Sequence, residues 1–154
     1  MNWPIVRFMT IREAREVVIE ATPEEILDVI ADVEATPEWS APHQHVEILT
    51  TTDDGLPHRV KMKVKVAGIT DEQVVDYTWA GNEVSWKLVS SSQQKDQFGR
   101  YILVPQGDKT LVKFEAMVDP NVPLPGFILK RAIKGTMDAA TSELRNRVLA
   151  VKKG

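Results

Sequence analysis

The chain has no cysteine, which excludes disulfide cross-links, thiolate nucleophiles and cysteine-ligated metals. It has no Asn-x-Ser/Thr acceptor and no apolar run near the ~20 residues a membrane-spanning helix needs. The opening stretch Met1–Met9 has neither the length nor the patterning of a signal peptide. Residues 1–9 are therefore expected to form a tail, residues 10–154 a single domain, and the protein is expected in the cytoplasm with no integral membrane segment. Excess positive charge is also missing: the formal charge is -3, so there is no overall electrostatic footprint for nucleic acid or an anionic membrane. Glycine-rich phosphate loops, nucleophile elbows and Ser/His/Asp spacings are absent too, and no cofactor is implied.

What is present is periodicity. Val17, Ile19 and Ala21 alternate with Glu16 and Glu20, the mark of a half-buried strand. Thr22-Pro-Glu-Glu supplies an N-cap, a proline for the first helical position and two carboxylates for the first turn. A short helix to about Asp32 follows, then a second across Val33–Trp39, because Pro37 forbids one continuous helix. The next eighty residues read as six strands joined by short turns. Asp53-Asp54-Gly55 pairs Ile48 with Val60 and Val46 with Met62. A four-residue connection at Gly68–Asp71 pairs Val64 with Val75, Met62 with Tyr77 and Lys63 with Asp76. Gly81-Asn82 sets Trp79 against Val84 and Tyr77 against Trp86, while Gly107-Asp108 sets Tyr101 against Phe114 and Arg100 against Glu115. From about Gly126 to Val151, Leu129, Ile133, Met137, Ala140, Leu144 and Val148 recur at helical spacing. Such a helix needs a partner, and the concave face of the sheet is the one available. The expected fold is α+β: a helix-grip architecture with a seven-stranded curved antiparallel sheet around a long C-terminal helix, and two short helices between strands 1 and 2.

This order resembles the START-like (SRPBCC) superfamily, the birch pollen allergen fold. The runs Ile19–Asp28 and Ala31–Trp39 resemble the opening of bacterial polyketide cyclase/dehydrase and lipid transport proteins and their coenzyme Q binding relatives, and Gly99–Pro105 and Val118–Gly126 resemble bacterial members of the same group. The resemblance implies a hydrophobic small molecule as partner: a lipid, an isoprenoid or a polyketide-like compound held inside. It leaves open a polyketide aromatase/cyclase or dehydratase, and a coenzyme Q binding or interaction protein. It does not give the oligomeric state.

The strand faces predict an inner wall that contains Tyr77, Trp79, Trp86, Ser90, Gln97, Gly99, Tyr101, Phe114 and Ala116, without carboxylate, histidine or lysine. General acid/base work needs a titratable group within reach of the substrate, so this wall argues for binding and names no catalytic residue. Gly99 and Ala116 fall opposite each other, and Ala132, Gly135, Thr136, Ala139 and Ala140 lie on the helix above. Small residues on both sides predict a hollow there, with Ser90, Gln97, Tyr77 and Tyr101 as its polar groups. Trp86 is expected almost fully inside. His43, His45 and Glu47 share a strand face, but the face is the outer one, so no metal site is assigned to them. Arg59, Lys61, Lys63 and Lys65 read as a solvated stripe neutralised by Glu72 and Asp76.

Overall fold

The computed structural model describes residues 10–154; the expected tail at residues 1–9 lies outside the described residues. Strand β1 (Ile11–Ile19) leads into helix α1 (Pro23–Ala31), where Thr22 and Glu25 form a capping box: the Glu25 N–H donates to Thr22 Oγ1 (3.2 Å) and the Thr22 N–H to Glu25 Oε1 (2.9 Å). A six-residue 3-10 helix, Val33–Glu38, follows and contains Pro37. Strands β2 (His43–Thr51), β3 (Pro57–Val66), β4 (Ile69–Ala80), β5 (Glu83–Ser91), β6 (Gln94–Gln106) and β7 (Lys109–Pro120) complete a seven-stranded antiparallel sheet ordered β1-β7-β6-β5-β4-β3-β2. The chain then crosses the concave face as α2 (Gly126–Asp138), a π-helical turn (Ala139–Glu143) and α3 (Leu144–Lys153). This is the helix-grip fold expected from the periodicities.

The core forms where the inner strand faces meet the helix. Ile19, Ile26, Val84, Tyr101, Leu103, Val112, Phe114, Met137, Leu144 and Val148 pack into one cluster, and Val46, Val60, Met62 and Val75 into a second near β2. Wider helical turns leave backbone groups to satisfy, and two hydroxyls do so. Tyr101 Oη donates to the Ala140 carbonyl (2.9 Å) and Thr141 Oγ1 to the Met137 carbonyl (2.6 Å). Ion pairs from Arg15 to Asp138 (2.7 Å) and from Arg145 to Glu20 (2.9 Å) tie the helix to the first strand and to the turn after it.

Three hairpin registers agree with the sequence reading: Val46–Met62 and Ile48–Val60, Tyr77–Trp86 and Trp79–Val84, and Tyr101–Phe114 with Arg100–Glu115. The β3–β4 register does not. Ala67 and Gly68 make a two-residue turn, both with positive φ (50° and 81°), in place of a four-residue loop. Val64 therefore meets Asp71, Met62 meets Gln73 and Lys63 meets Glu72, while Asp76 is held by Arg59 (Nε to Oδ1 2.9 Å, Nη2 to Oδ2 3.0 Å). The shift is four residues, an even number, so every residue keeps its face of the sheet even though Val64 and Met62 now lie opposite polar partners. What changes is that Asp71 and Gln73 slide onto the inner wall.

Candidate ligand cavity

A cavity of about 270 Å³ lies between the sheet and the long helix. Tyr77, Trp86, Gly99, Tyr101, Phe114 and Ala116 line its floor. Ala132, Ile133, Thr136, Met137, Ala139 and Ala140 line its roof, so nine of the eleven residues predicted for the wall reach it: those six floor residues with Gln97, Ala132 and Thr136.

Trp79 and Ser90 do not line it. Trp79 stacks on Tyr77 (centroids 5.7 Å apart) and turns its indole N–H to the Pro57 carbonyl (2.7 Å), a core and edge role. Ser90 is displaced by a bulge: Val75 pairs with Leu88 but Val74 with Ser90, so Val89 is an extra residue. Beyond that point the strand faces swap. Ser90 points outward and is exposed, and Ser91 takes the inner position opposite Gln73.

Two further expectations are corrected here. Gly99 does not leave empty volume, because the Trp86 indole lies against it and a Cβ added there would overlap the ring. Trp86 in turn is half-buried, with part of its surface facing the cavity, instead of fully enclosed. The remaining aromatic wall is continuous: Tyr77–Trp86, Trp86–Phe114 and Tyr101–Phe114 centroids are 5.5, 6.0 and 4.9 Å apart.

Most polar residues of the wall escape the sequence reading. Strand alternation puts His43 on the outer face with His45 and Glu47. A bulge at Gln44, visible as His43 pairing with Val64 and His45 with Lys63, turns His43 inward to line the cavity, and leaves His45 and Glu47 exposed. Its Nδ1 lies 2.7 Å from the buried Ser40 hydroxyl, and burial pushes its pKa down to about 4, so the imidazole is neutral at pH 7. Among the described residues, no three His, Asp or Glu side chains converge as a metal site would require.

The expectation of a wall without carboxylates is contradicted by the exposed Glu13 and by Asp71, which is 5% exposed. Asp71 is nevertheless fully engaged. Its oxygens accept from Ser91 Oγ (2.7 Å), Ser92 N (3.1 Å), Ser92 Oγ (3.0 Å), Gln93 N (3.2 Å), Gln73 Nε2 (3.1 Å) and Gln94 Nε2 (2.6 Å). Six donors on two oxygens occupy the acceptor sites of the carboxyl, so Asp71 staples the Ser92–Gln93 turn and offers nothing further to a ligand. Gln97 reaches the wall without that network, and its side-chain amide has no partner among the described residues. The Tyr77 hydroxyl is likewise without a partner among the described residues, whereas Tyr101 is committed to the helix. Burial raises the pKa of both phenols, which stay protonated and can donate.

The cavity is thus a mainly apolar, aromatic-walled space bearing neutral hydrogen-bonding groups. Its architecture is widely shared. A START superfamily protein from Mycobacterium smegmatis superposes with a TM-score of 0.82 at 25% identity over 91% of this chain and 98% of that one. The Zhui aromatase/cyclase from Streptomyces sp. R1128 superposes with a TM-score of 0.78 at 13% identity, covering 91% and 94%. TTHA0849 from Thermus thermophilus gives 0.74 at 17% identity, covering 93% and 99%. No curated protein matches the sequence. The family model for polyketide cyclase / dehydrase and lipid transport matches residues 10–149, and the chain belongs to that family.

Proposed function

We propose that the protein binds an uncharged hydrophobic small molecule in the cavity between sheet and helix and acts as a noncatalytic carrier or sensor of it. The observation that carries this reading is the state of the wall's titratable groups. Asp71 is saturated by its own chain, His43 is neutral, and both tyrosines are protonated. Glu13 also borders the cavity but is itself exposed, so a charged ligand among the buried groups would find no unengaged counter-charge and would bear its desolvation cost alone. An apolar body with one or two neutral polar substituents meets the aromatic floor, the Gln97 amide and the Tyr77 hydroxyl.

A cyclase or dehydratase acting on a polyketide-like chain is the second reading, favoured by the neutral imidazole of His43 and the free phenol of Tyr77 on one cavity wall. An imidazole whose conjugate acid is this acidic is a weak base, which places the carrier reading ahead. Native mass spectrometry of the purified protein, with titration by the neutral dye Nile red, tests the proposal. A copurified adduct or saturable dye binding is expected; the absence of both would overturn it.

A further inference from the structure

Six large apolar residues are exposed among the described residues, and four of them, Val18, Leu49, Val89 and Val151, stand singly on different elements. The other two form a pair. Val122 (52% exposed) and Phe127 (67% exposed) flank the start of α2, and Val122 also lines the cavity, as do Leu124 and Leu129 on either side of Phe127. The most exposed aromatic side chain among the described residues therefore sits beside the opening of an apolar hollow.

Along the first turns of α2 the charge beside Phe127 is of one sign. At 3.6 residues per turn, Leu129, Ala132, Ile133 and Thr136 fall on the side of α2 that roofs the cavity, and Phe127, Lys130, Arg131 and Lys134 fall on the opposite side. All four of the latter are exposed. Lys134 bonds Asp138, but Lys130 and Arg131 have no acidic partner among the described residues. The sequence here gives up helix stability: α1 begins with a full capping box and Glu24 and Glu25 in its first turn, whereas α2 begins without a side-chain cap or an acid and places cations in its second turn. Local rules broken in this way are characteristic of surfaces kept for function.

We propose that the start of α2, with Val122, Phe127, Lys130 and Arg131, docks on an anionic lipid bilayer and presents the cavity opening to it. A bilayer of that kind supplies both things the patch matches, hydrocarbon for Phe127 and Val122 and headgroup phosphates for the cations. An acidic protein supplies the second without requiring a bare aromatic ring at the mouth of a hydrophobic cavity. The whole chain carries a net charge of -3, so attraction is confined to this patch and is screened by salt. Docking goes beyond the cavity-binding reading, giving a hydrophobic ligand a route that avoids water.

Co-sedimentation of the full chain with vesicles tests it. Phosphatidylcholine vesicles containing one-third phosphatidylglycerol should retain the protein about tenfold better than pure phosphatidylcholine, and high salt should release it. Phe127→Ser and the pair Lys130→Glu with Arg131→Glu should each lower partitioning about tenfold, with unchanged circular dichroism and unchanged Nile red binding, since these side chains are exposed. No sedimentation, equal retention by the two vesicle types, or undiminished retention of both variants would overturn the proposal. Failure of the cavity reading registers separately, as no Nile red binding by the wild-type chain.

Discussion

At position 43 an imidazole that ordinarily titrates near pH 6.5 is held neutral down to about pH 4, because the wall of the cavity strips water from its charged form. In the unfolded chain the same ring takes up a proton as soon as the pH falls below about 6.5. Between those two values the unfolded state binds more protons than the folded one, so stability falls as the pH drops through this window and levels off below it. The full effect is at most about 3 kcal/mol. Urea unfolding of the wild type and of His43→Gln at about pH 7 and about pH 4.5 should show the wild type losing more stability on acidification, by about 2 kcal/mol; parallel losses would show that His43 is not buried as described. The side chain itself was legible in the sequence, but its direction was not. One extra residue at Gln44 reverses the faces on either side of it, and a bulge needs no glycine or proline to announce it. Ser90 was lost and Ser91 gained for the same reason at Val89. The indole of Trp86, by contrast, lies on the predicted face, but it is less enclosed than expected and its neighbour is not empty: a glycine opposite a large ring is where that ring lies down.

Among the elements, the helix, the capping box and the hairpins at Gly55, Gly81 and Gly107 follow from local chemistry, because each turn has glycine where φ is positive. The β3–β4 turn hides its nature by using alanine at the first such position. Ala67 has φ 50°, and its Cβ crowds the backbone there at a cost of roughly 1 kcal/mol that asparagine would largely avoid. Ala67→Asn is accordingly expected to stabilise the protein by about 0.5–1 kcal/mol in urea unfolding. An equal or lower stability would mean that the two-residue turn is not the one this hairpin adopts. The consequence of the register reaches further than the turn, since it is what delivers Asp71 to the Ser92–Gln93 connection across the sheet. Matching apolar faces could not have detected it: a slip of an even number of residues preserves the pattern, so only the turn's own geometry discriminates.

For the molecule as a whole, a hollow in the core means that stability and occupancy are linked. A ligand at about a hundred times its Kd adds about 2.7 kcal/mol to the folded state, which in a domain of this size raises Tm by about 5–10 °C. The small residues of the roof keep that option open. Ala132 is half-buried, lines the cavity from α2 and stands on the helix face opposite Lys130 and Phe127, so a larger side chain there enters the hollow without touching the outer surface. In a solid core, adding that bulk forces neighbours out of their rotamers and costs about 1–3 kcal/mol. In a hollow it buries new apolar surface instead, at roughly 25 cal/mol per Å². Ala132→Phe should therefore unfold at or above the wild-type temperature when no ligand is added, and should lose both saturable Nile red binding and the rise in Tm that the dye produces in the wild type. Calorimetric scans of the two proteins with and without dye decide the matter. A variant that melts several degrees lower, or one that keeps the full dye-dependent rise, would place the ligand somewhere other than between this helix and the sheet.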